Sequence, residues 1–167
     1  MTLRLFAAAM ALMLAVGVNL GAQAKPDFSG KWVMADPASA AANTGGVSGR
    51  GGGRGGGFQP GFGAEITVKQ DATTLTIARG GQSTPLTYKL DGTESKNAVT
   101  REGQQQEQIA TATWDGNKLV IATQVRFQGN TREQRRVLSM EGGNLVIDQT
   151  NPGRGGGATI KVVYKKN

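Results

Sequence analysis

Residues 109–125 read Ile-Ala-Thr-Ala-Thr-Trp-Asp-Gly-Asn-Lys-Leu-Val-Ile-Ala-Thr-Gln-Val. Two runs rich in Thr, Val, Ile and Ala flank Asp115-Gly116, and neither carries an apolar stripe of helical period. Asp-Gly between such segments is a strong hairpin signal, because a tight two-residue turn needs residues that tolerate positive φ. The stretch therefore predicts two antiparallel strands, near 105–114 and 118–128.

The same grammar runs outward in both directions. Turn signals stand at Asp71-Ala72, Gly80-Gly81, Asp91-Gly92, Glu102-Gly103, Gly129-Asn130, Gly142-Gly143 and Pro152-Gly153, nine to fourteen residues apart once Asp115-Gly116 is included. Between them lie alternating runs such as Glu65-Ile-Thr-Val-Lys69, Thr74-Leu-Thr-Ile77 and Thr159-Ile-Lys-Val-Val-Tyr164. With Phe28-Ser-Gly-Lys-Trp-Val-Met-Ala35 at the start, the prediction is of strands near 28–35, 64–70, 73–79, 82–90, 93–101, 105–114, 118–128, 131–140, 144–151 and 158–165. The fold class is all-β, an antiparallel up-and-down meander. A flat sheet of that width leaves two exposed edges and curls with its own twist. Pairing the first strand with the last removes both, which predicts one closed barrel of about 8–10 strands over residues 25–167. A sandwich is the alternative, but it needs crossing connections, and every link after Gly63 is short.

One stretch breaks the pattern. From Asp36 to Gly63 the chain turns to Ala and Gly, and eleven of the nineteen residues from Gly45 to Gly63 are Gly. Such a segment has little apolar area to bury and a high backbone entropy to lose, so it reads as a flexible Gly/Arg-rich loop over 36–63. Arg50, Arg54 and Arg154 stand in Arg-Gly-Gly contexts. Similar runs bind single-stranded nucleic acid, but the loop holds two of these Arg, Arg50 and Arg54, with few aromatics, which is a weak patch, and no nucleic-acid partner is expected.

At the N-terminus, a basic start at Met1–Arg4 and an apolar run at Leu5–Val18 lead to Ala22-Gln23-Ala24. That order predicts a signal peptide over 1–24, cleaved near Ala24, and a protein exported to the periplasm or the extracellular space. The apolar run is shorter than the ~20 residues of a spanning helix, so the protein is not expected to span the membrane.

The chain has no Cys and no His. Disulfides, thiolate metal sites, Cys nucleophiles and the usual general base are therefore all excluded. No GxSxG, SxxK, GxxxxGK[ST] or HExxH motif occurs, and Asp36, Asp71, Asp91 and Asp115 are scattered in separate turns. No catalytic residue, cofactor or metal site is expected, and the aspartates read as turn residues bonding their own backbone. The net charge is +7, of which Arg4 in the leader supplies one. A modest basic excess suits an anionic partner, and it equally suits plain solubility.

Side chains alternate along a strand, so Arg132, Gln134 and Arg136 share a face with Leu138 and Met140. If that face is interior, guanidiniums point into the barrel and make a candidate carboxylate site, which Thr123, Gln149 and Tyr164 on their own apolar faces could complete. A one-residue slip reverses the assignment and leaves the arginines in solvent.

Gly30-x-Trp32, a long interruption and nine hairpin-linked strands together resemble the lipocalin and fatty-acid-binding-protein superfamily. Trp114-Asp-Gly-Asn-Lys-Leu-Val120, Thr131-Arg-Glu and Val162-Val-Tyr-Lys-Lys166 are similar to the final strands of fatty-acid-binding proteins. The resemblance implies a lipocalin-like barrel whose base is closed by Trp32 and whose interior holds a ligand. It also implies a helical lid, where this chain has its Gly-rich segment, and an Arg two residues before Tyr164, where this chain has Val162. The expected function is thus non-catalytic binding of a small hydrophobic or amphiphilic ligand, anionic if the arginines face inward. The alternative is a structural or interaction protein of the bacterial cell envelope with a packed barrel.

Overall fold

The computed structural model describes residues 24–36, 61–101, 103–127, 130–150 and 159–167. The predicted signal peptide, apart from Ala24, and residues 37–60 of the predicted loop lie outside the described residues. So do Arg50, Arg54 and Arg154.

Ten strands form: β1 (Gly30–Met34), β2 (Glu65–Gln70), β3 (Thr74–Arg79), β4 (Leu86–Lys89), β5 (Ser95–Arg101), β6 (Gln104–Asp115), β7 (Lys118–Phe127), β8 (Asn130–Glu141), β9 (Asn144–Thr150) and β10 (Thr159–Lys166). All pairings are antiparallel. Strand order is β4-β3-β2-β1-β10-β9-β8-β7-β6-β5, so the first and last strands of the chain lie side by side. Met34 stands opposite Tyr164, and Trp32 opposite Lys166. The first strand thus pairs with the last, as predicted, in a nearly closed barrel.

Local chemistry explains the hairpins. The β8–β9 turn is closed by the pair Glu141 and Asn144, and Gly142 and Gly143 between them have φ of 57° and 83°. Two successive left-handed residues make the mirror-image turn whose twist matches that of paired strands, and glycine adopts it without a Cβ penalty. At the β2–β3 turn the Asp71 carboxylate accepts the Thr73 and Thr74 amides at 2.8 and 2.7 Å. Asp91 does the same for Thr93 at 2.9 Å. Both carboxyls are held below the usual range, chiefly by hydrogen bonds from the Thr side chains and amides that follow them.

The barrel has one opening in its ladder, and it is not where the chain's ends meet. β4 and β5 are the terminal strands of the sheet order and share no ladder. β4 is also shorter than the sequence predicts. Gln82 to Pro85 are exposed and outside any strand, and Pro85 has no N–H to offer a ladder. Side chains of β5 bridge the seam instead. The Thr87 amide donates to Asn97 Oδ1 at 2.7 Å, Asn97 Nδ2 donates back to the Thr87 carbonyl at 3.1 Å, and the Lys89 amide donates to Ser95 Oγ at 2.8 Å.

The alternating faces put Trp32, Ile66, Val68, Leu75, Ile77, Tyr88, Ile121, Leu138, Ile147, Ile160 and Val162 in one core. One end is sealed by the residues before β1. Phe28 is fully buried and stacks on Trp114 with ring centroids 5.9 Å apart, and its carbonyl accepts the Trp32 indole N–H at 2.9 Å. Gln70 fastens this segment, accepting the Phe28 amide at 3.1 Å and donating to the Pro26 carbonyl at 3.0 Å. Among the described residues no helix is long and apolar enough to cross a membrane.

Candidate functional site: a cationic barrel interior

The parity of β8 is settled by burial. Gln134 and Leu138 are buried, while Arg135 and Glu133 on the other face are exposed. Arg132 and Arg136, both half-buried, therefore share the interior face with them. Register then fixes the neighbours. Arg136 stands between Ile121 of β7 and Gln149 of β9, and Gln134 stands opposite Thr123.

Arg136 Nε donates to Gln149 Oε1 at 3.0 Å and to the Gly61 carbonyl at 3.1 Å. Its guanidinium carbon lies 4.8 Å from the centroid of the Phe62 ring, a stacking distance that suits the planar cation. The other face of the interior brings in Tyr164. Its hydroxyl donates to the Gly63 carbonyl at 2.7 Å and accepts the Phe62 amide at 3.1 Å. Burial pushes the Tyr164 hydroxyl above its ordinary pKa, while the Phe62 hydrogen bond and the nearby Arg136 charge oppose that shift.

Gly61 to Gly63 form the end of the segment expected to be a flexible loop, and these three residues pack against the barrel interior. Gly61 is buried and Phe62 is 3% exposed. Gly61 has φ of 62°, and a Cβ there would lie 2.5 Å from the Tyr164 hydroxyl. Only glycine allows this approach.

Tyr88 of β4 completes the interior. Its ring is tilted against Phe62 at 6.4 Å between centroids. The residue is wholly buried and its hydroxyl has no hydrogen-bond partner among the described residues. Burial pushes its pKa up to about 12, against the pull of Arg136 and Arg79. Arg79 ends the interior face of β3 after Leu75 and Ile77, and its buried Nε also has no partner among the described residues. Burial lowers its pKa, yet a guanidinium stays charged. Thr123 is wholly buried with its hydroxyl unpartnered among the described residues.

No described carboxylate is buried in this interior. Every described Asp and Glu is exposed except Asp148, and Asp148 lies on the outer face of β9 between inward-facing Ile147 and Gln149. The interior thus presents arginines, two tyrosine hydroxyls and amides to whatever occupies it. That array can hold an acidic group. It contains no pairing of nucleophile and base.

Of the residues singled out in the sequence, Arg136, Gln149 and Tyr164 converge on the Gly61–Gly63 segment. Thr123 and Gln134 face each other one register step away, and Arg132 lies further along the same face. Trp32, expected at the closed base, is 2% exposed and anchored to Phe28 there. Sequence reading passed over Tyr88 and Arg79, although Leu86-x-Tyr88-x-Leu90 and Leu75-x-Ile77-x-Arg79 carry the same period-two signal. It had no signal for the inward turn of Phe62.

A ten-stranded, nearly closed meander with polar groups on its inner wall is a calycin-like fold, the architecture that lipocalins and fatty-acid-binding proteins share. No protein-family model and no curated protein matches the sequence. Solved structures similar to the chain include a zebrafish ileal bile acid-binding protein complexed with cholic acid, at 18% identity and a TM-score of 0.57, spanning 84% of this chain and 98% of that one. Secretory abundant heat soluble protein 4 from Ramazzottius varieornatus is similar at 17% identity and a TM-score of 0.53, over 83% of this chain and 94% of that one. A single-residue mutant of the fluorescent protein UnaG matches at 18% identity and a TM-score of 0.48, over 83% and 95%.

Proposed function

We propose that this is an exported, non-catalytic binding protein whose barrel takes a small amphiphilic ligand with an acidic group. The carrying observation is the cationic interior: Arg79 and Arg136 face inward, the buried Arg79 Nε has no partner among the described residues, and no described carboxylate is buried beside them. A cation withdrawn from water is stabilised by an anion or by several acceptors. The unpartnered hydroxyls of Tyr88 and Thr123 add donors that an occupant could satisfy. The fold itself accommodates such a molecule, since the zebrafish neighbour carries cholic acid, a carboxylate on an apolar body.

The test is titration with a dansyl-labelled fatty acid and its methyl ester, read by dansyl emission. Saturable binding of the acid, at least tenfold weaker for the ester and for Arg136→Met, is the expected result, in line with the loss of one charge-assisted contact worth about 1.5–3 kcal/mol. Equal binding of acid and ester, or none, rejects the reading. Export is tested separately: mass spectrometry of the protein from the exported fraction of its host should give Lys25 as the first residue.

A second reading, a packed structural or interaction protein of the cell envelope, is favoured by one observation. Leu75, Ile77, Tyr88, Ile121, Leu138, Ile147 and Tyr164 all point inward and are wholly inaccessible. A barrel that binds nothing in the titration above, with this core intact, supports that reading.

A further inference from the structure

The packed interior and the cationic interior are reconciled by what lies at the Arg136–Tyr164 pair. We propose that Gly61-Phe62-Gly63 is a resident occupant of the binding site, held in the place of a ligand, and that an acidic ligand enters by displacing it. The proposal rests on the binding function argued above.

Three contacts tie the segment's backbone to side chains of the wall, and each is one that a ligand would make. The Gly61 carbonyl takes the Arg136 Nε–H at 3.1 Å, and the Gly63 carbonyl takes the Tyr164 O–H at 2.7 Å. The Phe62 amide gives its hydrogen to Tyr164 at 3.1 Å. Between these contacts the Phe62 ring supplies the apolar body, lying against the Arg136 guanidinium at 4.8 Å and the Tyr88 ring at 6.4 Å. An acceptor oxygen, a second polar group and a flat apolar body arranged this way describe an aryl or alkyl acid in outline.

An ordinary core residue is held differently. The core positions of β2, β3 and β7 sit in strands whose ladders cannot open without breaking the sheet. Gly61 to Gly63 lie outside every named strand, and their own bridge, Gly61 to Gly63, joins the segment only to itself. Withdrawal therefore costs these three side-chain hydrogen bonds and the burial of one ring, with all ten strands still paired. A carboxylate or sulfonate arriving at Arg136 replaces a neutral carbonyl acceptor with an anion, so a bond charged on the donor side alone becomes an ion pair that the planar guanidinium can hold with two parallel hydrogen bonds. An uncharged amphiphile brings no such gain. The segment is thus a filter for acids as well as a filler of space.

The glycines at both ends fit this role. Gly61 alone allows the backbone to pass at van der Waals range of the Tyr164 hydroxyl, which brings the carbonyl on to Arg136. The hydroxyl of Tyr88, fully buried beside Phe62 and without a partner among the described residues, marks a donor that the peptide segment leaves unused and that a true ligand could engage.

The experiment is hydrogen exchange of the full-length protein, followed by NMR at the Phe62 amide, with and without the dansyl-labelled fatty acid. Displacement predicts that ligand accelerates exchange at Phe62 while slowing it on the strands. Slower or unchanged exchange at Phe62 in the presence of bound ligand overturns the proposal and leaves the binding function standing. Phe62→Ala provides the second reading. An occupied site is available for only a fraction of the time, and emptying it should tighten acid binding about tenfold and speed association, as expected when a competing state of ~90% population is removed. Weaker binding by a Phe62→Ala protein with a native near-ultraviolet spectrum would make Phe62 part of the wall, again overturning the plug alone. Failure of both the wild type and Phe62→Ala to bind the acid rejects the binding function and the plug together.

Discussion

Asn97 holds Thr87 as a neighbouring peptide would, accepting its amide at 2.7 Å and donating to its carbonyl at 3.1 Å. One side chain thereby substitutes for a rung of ladder at the seam where β4 and β5 lack one. Asn97 is 4% exposed while Thr87 is exposed, so the two bonds lie partly buried at the seam.

Asn97→Ala is expected to destabilise the protein by about 1–3 kcal/mol, the net worth of two part-buried hydrogen bonds. Amide exchange at Thr87 and Lys89 should accelerate far more than at β7 or β8. If Thr87 exchange is unchanged in the variant, the seam is held by packing and the side-chain rung is incidental.

The two tyrosines of the chain are both buried, and both hydroxyls are raised by that burial. A folded-state pKa above the unfolded value of about 10 means that the unfolded chain loses its protons first as pH rises. The stabilising contribution is full below pH ~10 and is lost as pH climbs toward the folded value of about 12 for Tyr88. Ultraviolet titration at about pH 10.5, half a unit above the ordinary value, should show less tyrosinate in the folded protein than in the unfolded chain, with Tyr88 the later of the two to ionise, and the melting temperature should fall from there. Tyr88→Phe should flatten that fall. A normal titration of both tyrosines near pH ~10 in folded protein would contradict their placement.

At the closed end, Phe28 links Trp114, by stacking, to Trp32, by hydrogen bond. Phe28→Ala should cost about 3–5 kcal/mol, as do other deletions of a buried aromatic. These are the chain's only tryptophans, so the same variant should shift the fluorescence maximum to the red. An unshifted spectrum would place the segment before β1 outside the core.

Thr123 is wholly buried with a hydroxyl that has no partner among the described residues. Thr123→Val removes that unmet group and should stabilise the unliganded protein by ~1 kcal/mol. If the hydroxyl serves a ligand, the variant should also bind the dansyl acid more weakly. Calorimetric melting and the titration, run on one sample, read both effects. A lowered melting temperature would mean that the hydroxyl is satisfied after all.

Much of the strand plan was legible because it is written locally. Gly142-Gly143 states its turn in two residues, and Leu75-x-Ile77 states its face in three. Parity put Arg132, Gln134 and Arg136 on one face with Leu138 but left open whether that face is interior, and the burial of Gln134 and Leu138 decided it. The shortened β4 was less legible. Pro85 was visible, but its effect depends on whether a ladder was due to start there.

What the sequence determined by itself is therefore the antiparallel succession of about ten strands and which residues of a strand share a face, because period-two alternation and turn chemistry act over a few residues. Which face of β8 is interior took the structure to decide. Where the wall stays unpaired, and what fills the barrel, belong to the tertiary structure. Phe62 meets Tyr164 across 102 positions of sequence, and Gly61 meets Arg136 across 75. Contacts at that range leave no periodic trace in the chain, and only closure of the sheet brings those partners within hydrogen-bonding distance.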